Sequence, residues 1–261
     1  MPKPKILIIN DDGIDAPGIY ALYEAVKDYA DTTIVAPSTE RSGSGSSITV
    51  TNPLLLHKHL WGDKEVYSVT GTPADCVKIA MHTVCEKPDL ILSGINPGSN
   101  AGRSIFYSGT LGGIVEGANK EIPGIAFSQH DFLQKDFSKA QKYILPIVKY
   151  FQGNIPKGTI INISFPSLKE GSYKGFKITK QGLGFWQDNP EKRPHPHRSD
   201  DYYWLGVRYQ EHPDDKETDV DYINQGYITA TPLNVWDLTH YEYIKEHSQK
   251  FENFFQTLNQ K

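Results

Sequence analysis

The apolar run Lys5–Ile9 (KILII) stops abruptly at Asn10-Asp11-Asp12-Gly13, and this junction constrains the fold more than any other stretch of the chain. A strand without polar alternation is buried on both faces, as in a parallel sheet covered by helices. Adjacent carboxylates at its end repel each other unless a cation lies between them. The pair has two readings: a site for a hard divalent cation, or a turn in which Asp12-Gly13 reverses the chain and Asp11 caps a helix.

The segments that follow alternate in the same way. Ile19, Leu22, Tyr23, Val26 and Tyr29 fall at helical spacing. Residues 32–36 (TTIVA) read as the next strand, followed by a polar loop, STERSGSGSS. Residues 48–50 and 65–69 are expected strands around a more irregular stretch. Thr72-Pro73-Ala74-Asp75 carries the signals of a helix start, with Thr72 as cap, Pro73 in the first turn and Asp75 at the positive end. Val77, Ala80, Met81 and Val84 form its apolar stripe. Further strands are expected at 89–92, 125–127 and 159–165, and further helices at 108–118, 136–151 and 243–258. Strands separated by helices imply right-handed crossovers, hence an α/β, Rossmann-like and mostly parallel sheet with helices on both faces. Ligands of such sheets sit beyond the carboxyl ends of the strands. The expected division is a catalytic core over 1–152, with 153–261 completing it and adding a smaller β-rich arm and a C-terminal helix.

A chain of 261 residues suffices for this plan. Its 27 Lys and Arg against 31 Asp and Glu give a net charge of -4, which argues against a nucleic-acid surface. No stretch approaches the roughly 20 apolar residues of a membrane span, and the N-terminal apolar run is too short for a signal peptide. Cys76 and Cys85 read as packing residues in a reducing, cytoplasmic setting rather than as a disulfide framework.

Three polar segments end three strands: NDDG, STERSGSG and SGINPGSN. Ser42 offers a hydroxyl and Asn96 an amide oxygen, completing with Asp11 and Asp12 an oxygen donor set suited to Mg²⁺, Mn²⁺ or Ca²⁺. Ser or Asn in a glycine-rich loop is otherwise an ordinary turn former. SGINPGSNAG and YSGTLGG place small residues where backbone N–H groups can approach an anion. Ser108-Gly109-Thr110 at a helix start adds hydroxyls and a positive dipole end, beside the plainer reading of simple capping. Gly43-Ser44-Gly45 lacks the third glycine of a dinucleotide fingerprint. His195 and His197 are weak metal ligands without a third partner. The run DYYW (201–204) reads as strand and interface rather than as a base-stacking platform.

The ordered set NDDGIDAPG, VAPSTERSGSGSSIT, GTPADCV, LILSGINPGSNAG and YSGTLGGIVEGA resembles the SurE family, with KITKQG and DVDYINQGYITATPL similar to its C-terminal part. The resemblance runs from about residue 5 to about residue 238. It implies a metal-dependent 5′-nucleotidase that hydrolyses nucleoside monophosphates, with 3′-nucleotides and short polyphosphate as further substrates. It also implies one divalent ion, Mg²⁺ or Mn²⁺, held by Asp11, Asp12, Ser42 and Asn96, and a phosphate site at Asn100, Ser108, Gly109 and Thr110. Asp11, Asp12 and Asn100 are the expected catalytic residues, and whether a carboxylate serves as base stays open. Homodimers or homotetramers exchanging C-terminal elements are implied as well. Gly112-Gly113-Ile114 replaces a more alanine-rich helix start, which implies a looser turn. A haloacid-dehalogenase-like phosphatase is the rival enzyme, although that class spaces its aspartates by one residue. A nucleotide sensor without turnover is the non-enzymatic rival.

Overall fold

The computed structural model describes residues 2–133, 135–168, 171–206 and 208–258, with side chains to residue 254. Among them, β1 (Lys5–Ile9), β2 (Asp31–Pro37), β4 (Lys64–Val69), β5 (Leu90–Pro97), β6 (Gly124–Gln129) and β7 (Thr159–Phe165) form the parallel centre of a nine-stranded sheet. β3 (Leu56–Trp61) closes one edge. β13 (Ile228–Asn234) and β8 (Phe176–Ile178) close the other, giving the order β3-β4-β2-β1-β5-β6-β7-β13-β8. Within this sheet, among the described residues, only the β3–β4 and β7–β13 pairings are antiparallel.

The unbroken apolar strands have the expected cause. Ile6 and Ile8 of β1 point into one core with Ile19, Leu22 and Val26 of α1 (Pro17–Val26) and Ile144 and Val148 of α4 (Ser138–Phe151). Leu7 and Ile9 point into the opposite core. That core holds Val77 and Ala80 of α2 (Pro73–Thr83) and Leu111 and Ile114 of α3 (Gly109–Ala118). Every β1 side chain after Lys5 is thus buried, whichever face it takes. The chain crosses from β1 to β2 on one side and later places β5 on the other. The strand order therefore reverses between β1 and β5, opening a crevice beyond their carboxyl ends.

Some expectations need correction. Residues 48–50 form no strand: Ile48 and Val50 are exposed, and the Thr49 N–H and hydroxyl donate to the Asp75 carboxylate rather than to a ladder. β3, by contrast, lies within the stretch expected to be irregular. It is an exposed edge strand joined to β4 by a two-residue turn in which Gly62 has φ +59°, so it lacks the apolar signature. Cys76 is buried, but Cys85 lies just past α2 and is only half-buried. No loosening occurs at the start of α3. A Cβ on Gly112 would sit 1.9 Å from the Gly45 carbonyl oxygen, so the absent side chain lets loop and helix close on each other.

The C-terminal part contributes α5 (Asp219–Asn224) and two exposed hairpins. β9 (Phe185–Gln187) pairs with β12 (Arg208–Gln210), and β10 (Glu191–Pro194) with β11 (Asp201–Trp204). The 201–204 run is a strand, as expected. His195 and His197 lie in the turn of that hairpin, and no group of three His, Cys, Asp or Glu capable of holding a metal occurs among the described residues. α6 (Tyr241–Leu258) ends the described chain with Phe251 and Phe254 exposed; the Phe255 side chain lies outside the described residues. Among the described residues no helix is long and apolar enough to cross a membrane.

Candidate active site at the end of the first strand

The turn after β1 is built by Asn10, whose amide donates to the Gly13 carbonyl at 2.9 Å and accepts from the Gly13 N–H at 3.2 Å. This bridge turns Asp11 and Asp12 into the crevice. Asp11 is 4 % exposed and receives the Thr110 hydroxyl on Oδ1 at 2.6 Å. Thr110 in turn accepts from the Asn100 Nδ2 at 3.2 Å, and the Asn100 carbonyl accepts from the Asn162 Nδ2 at 2.9 Å. One polar chain therefore runs from β7 through the loop after β5 and the start of α3 to the end of β1.

Close approach makes this possible. A Cβ on Gly109 would lie 2.7 Å from both the Asp11 Cβ and the Ser44 Oγ. Ser108 is the cap of α3, its hydroxyl accepting from the Leu111 N–H, so the simple reading holds for Ser108. It fails for Thr110, which is committed to Asp11 and Asn100. The loop after β2 reaches the pair through its backbone, the Arg41 N–H donating to the Asp11 carbonyl at 2.7 Å. Its side chain at Ser42 is exposed and donates to Glu40 at 2.6 Å. Asn96 donates its Nδ2 to the Gly98 carbonyl at 3.0 Å, which leaves the Oδ1 as the end without a hydrogen bond among the described residues.

Direct contacts thus join Asp11, Asn100, Gly109 and Thr110, with Ser108 as the helix cap. Asp12 and Pro97 line one cavity of about 340 Å³ together with Ser38, Glu40 and Lys135. Neither Asn96 nor Ser42 lines that cavity: Asn96 directly precedes Pro97 in the chain, and Ser42 is bonded to Glu40.

The electrostatics report an uncompensated pair. Burial, reduced by the Thr110 hydrogen bond, pushes the Asp11 carboxyl up to about 6. Burial, then repulsion from Asp11 and Glu40, pushes Asp12 up to about 8, with Lys135 opposing. The Asp12 Oδ2 is buried and, among the described residues, accepts no hydrogen bond. A doubly charged cation beside the pair would offset its burial, the repulsion within it and the unpartnered Oδ2. The donors available to it are carboxylate, amide and hydroxyl oxygens, which suits a hard ion and leaves positions open.

Asn162 and Asn10 were not singled out from the sequence. Asn162 had a signal: it is a polar residue inside the apolar strand TIINISF, where burial demands a hydrogen-bonding role. Glu40 and Lys135 had none, because their proximity to Asp12 arises from tertiary folding.

A family model described as survival protein SurE matches residues 6–188. The 5′-nucleotidase SurE of Protochlamydia amoebophila is 44 % identical over 256 residues, 97 % of this chain and 98 % of the relative. The 5′-nucleotidase SurE of Thermosipho africanus is 40 % identical over 251 residues, covering 95 % and 98 % of the two chains. The crystal structure of the SurE protein from Aquifex aeolicus superposes with a TM-score of 0.79 at 38 % identity, spanning 94 % of this chain and 99 % of that one. Family model, fold and near full-length likeness agree: the chain belongs to the survival protein SurE family.

Proposed function

We propose that the protein is a phosphoric monoester hydrolase that removes phosphate from nucleoside 5′-monophosphates with the help of one Mg²⁺ or Mn²⁺ ion. The observation that carries this reading is the Asp11–Asp12 pair: Asp11 is buried and bonded to Thr110 in the first turn of α3, and beside it the buried Asp12 Oδ2 accepts no hydrogen bond among the described residues. The names of the relatives supply the substrate class. Asp11 and Asp12 would hold the ion, with Asn96 through its Oδ1 and Ser42 after releasing Glu40. When bound, the ion supplies charge neutralisation at the phosphoryl group and a lowered water pKa.

The protein's own groups do the rest. Thr110 fixes the Asp11 carboxylate by donating to Oδ1. Asn100, held between Thr110 and Asn162, is placed to donate its amide to an equatorial phosphate oxygen. The N–H groups of Gly109 and Thr110 open α3 and present its positive end to the same charge. Asp12, whose Oδ2 accepts no hydrogen bond among the described residues, orients the attacking water. The contacts described read phosphate rather than base, so 3′-nucleotides and short polyphosphate are expected secondary substrates. A cytoplasmic homodimer or homotetramer completes the proposal.

Phosphate release from a panel of nucleotides crossed with Mg²⁺ and Mn²⁺ tests it. Steady release from AMP or GMP is expected, with Asp12→Asn losing about a hundredfold or more. Nucleotide binding without release would favour a sensor, and a trapped phosphoaspartate would favour the haloacid-dehalogenase chemistry.

A further inference from the structure

The loop carrying Asn100 is held from a distant part of the chain. Asp219, the first residue of α5, is fully buried. Its Oδ2 accepts from the Gly102 N–H at 3.1 Å, while its Oδ1 accepts from the N–H groups of Gly182 at 2.7 Å and Val220 at 2.8 Å. Among the described residues no cation pairs with it. A carboxylate buried with amides alone is costly to keep, so an apolar residue would serve mere packing better.

Two more attachments act at the same place. Ala101 packs with Val220 and Ile223 of α5 in a small apolar cluster. Arg103 donates its N–H to the Gly184 carbonyl at 2.9 Å and its Nε to the Leu183 carbonyl at 2.7 Å. Asp215 orients that segment by accepting from the N–H groups of Leu183 and Gly184. Gly102 has φ +62°, and a Cβ there would lie 2.7 Å from the Gly184 carbonyl oxygen, so the loop is clamped at close range. Only Ala101 separates Gly102 from Asn100, whose carbonyl is fixed on the other side by Asn162.

We infer that Asp219 is a positioning residue for the phosphate: by fixing the Gly102 backbone it sets the Asn100 amide, so the C-terminal part governs the phosphate loop. This rests on the phosphatase reading above.

Asp219→Asn is a selective probe. The Asn Nδ2 cannot accept, and turning it toward Gly102 lets Oδ1 preserve the two bonds to Gly182 and Val220 while releasing the loop. With AMP and Mn²⁺, kcat is expected to fall about tenfold to a hundredfold, since small misplacements cost that much. Inhibition by inorganic phosphate should weaken, while the Mn²⁺ concentration for half-activation stays within about twofold, because Asp11 and Asp12 are untouched. In an Asn100→Ala background the same change should add almost nothing, whereas general structural damage would add in full. Arg103→Ala, at an exposed residue, should shift kcat in the same direction by less, and it decides the matter if Asp219→Asn does not fold. Wild-type kcat in the folded variants, or full additivity with Asn100→Ala, overturns the inference alone. Absence of phosphate release by the wild type overturns the phosphatase reading, and the inference with it.

Discussion

Asp12 is under two opposed demands. The proposed reaction uses its charge, and the fold is strained by it. Both carboxyls of the pair titrate above the ordinary value of 3.8, Asp11 at about 6 and Asp12 at about 8. Their ionised forms are therefore less favourable folded than unfolded. In the metal-free protein this cost is absent below about pH 4 and grows as pH rises through 8. Asp12→Asn removes it. Denaturation in chelator at pH 8 should find the variant more stable than wild type by about 1–3 kcal/mol, with the gap closing toward pH 5. Saturating Mn²⁺ should reverse the order. A variant less stable than wild type at both pH values, without metal, would mean that the pair is not repulsive.

At the scale of elements, α2 shows the loop after β2 and a helix cap sharing residues. The Thr72 side chain accepts from the Asp75 N–H and donates to the Ser47 carbonyl, and Asp75 also holds Thr49. Thr72→Ala should lower stability by about 1 kcal/mol, measured by urea denaturation, while leaving phosphate release near wild type. A loss of activity as large as that of Asp12→Asn would place Thr72 in the chemistry. The cap was legible in TPAD because its spacing is local. β1 and the other buried strands were legible because their apolar runs have no second interpretation at that length. β3 was not, since an edge strand buries too little to leave a pattern. The misread strand at 48–50 has apolar residues, Ile48 and Val50, but its backbone finds an acceptor on Asp75 instead. The aspartates, Asn96 and Asn100 could be placed at strand ends from the sequence. The grip of Asp219 on Gly102 could not, because it joins residues 117 apart with no spacing rule between them.

At the scale of the whole molecule, aromatic and aliphatic surface gathers on the C-terminal elements. Tyr203 and Trp204 of β11, and Tyr241, Tyr243, Ile244, Phe251 and Phe254 of α6, are exposed in the single chain. Such surface favours association with further copies. Light scattering should find a dimer or tetramer, and a chain ending before Tyr241 should form smaller assemblies. A monomeric full-length chain would contradict this.

β13 lies between β7 and β8, though it is made after both. During synthesis, the sheet keeps an open seam until residues 228–234 have left the ribosome. By then Asp219 has emerged too, so its hold on Gly102 is available when the seam closes. A chain cut between Asp12 and Asp219 would keep Asp11 and Asp12 but lack the bonds that Asp219 makes to Gly102, Gly182 and Val220.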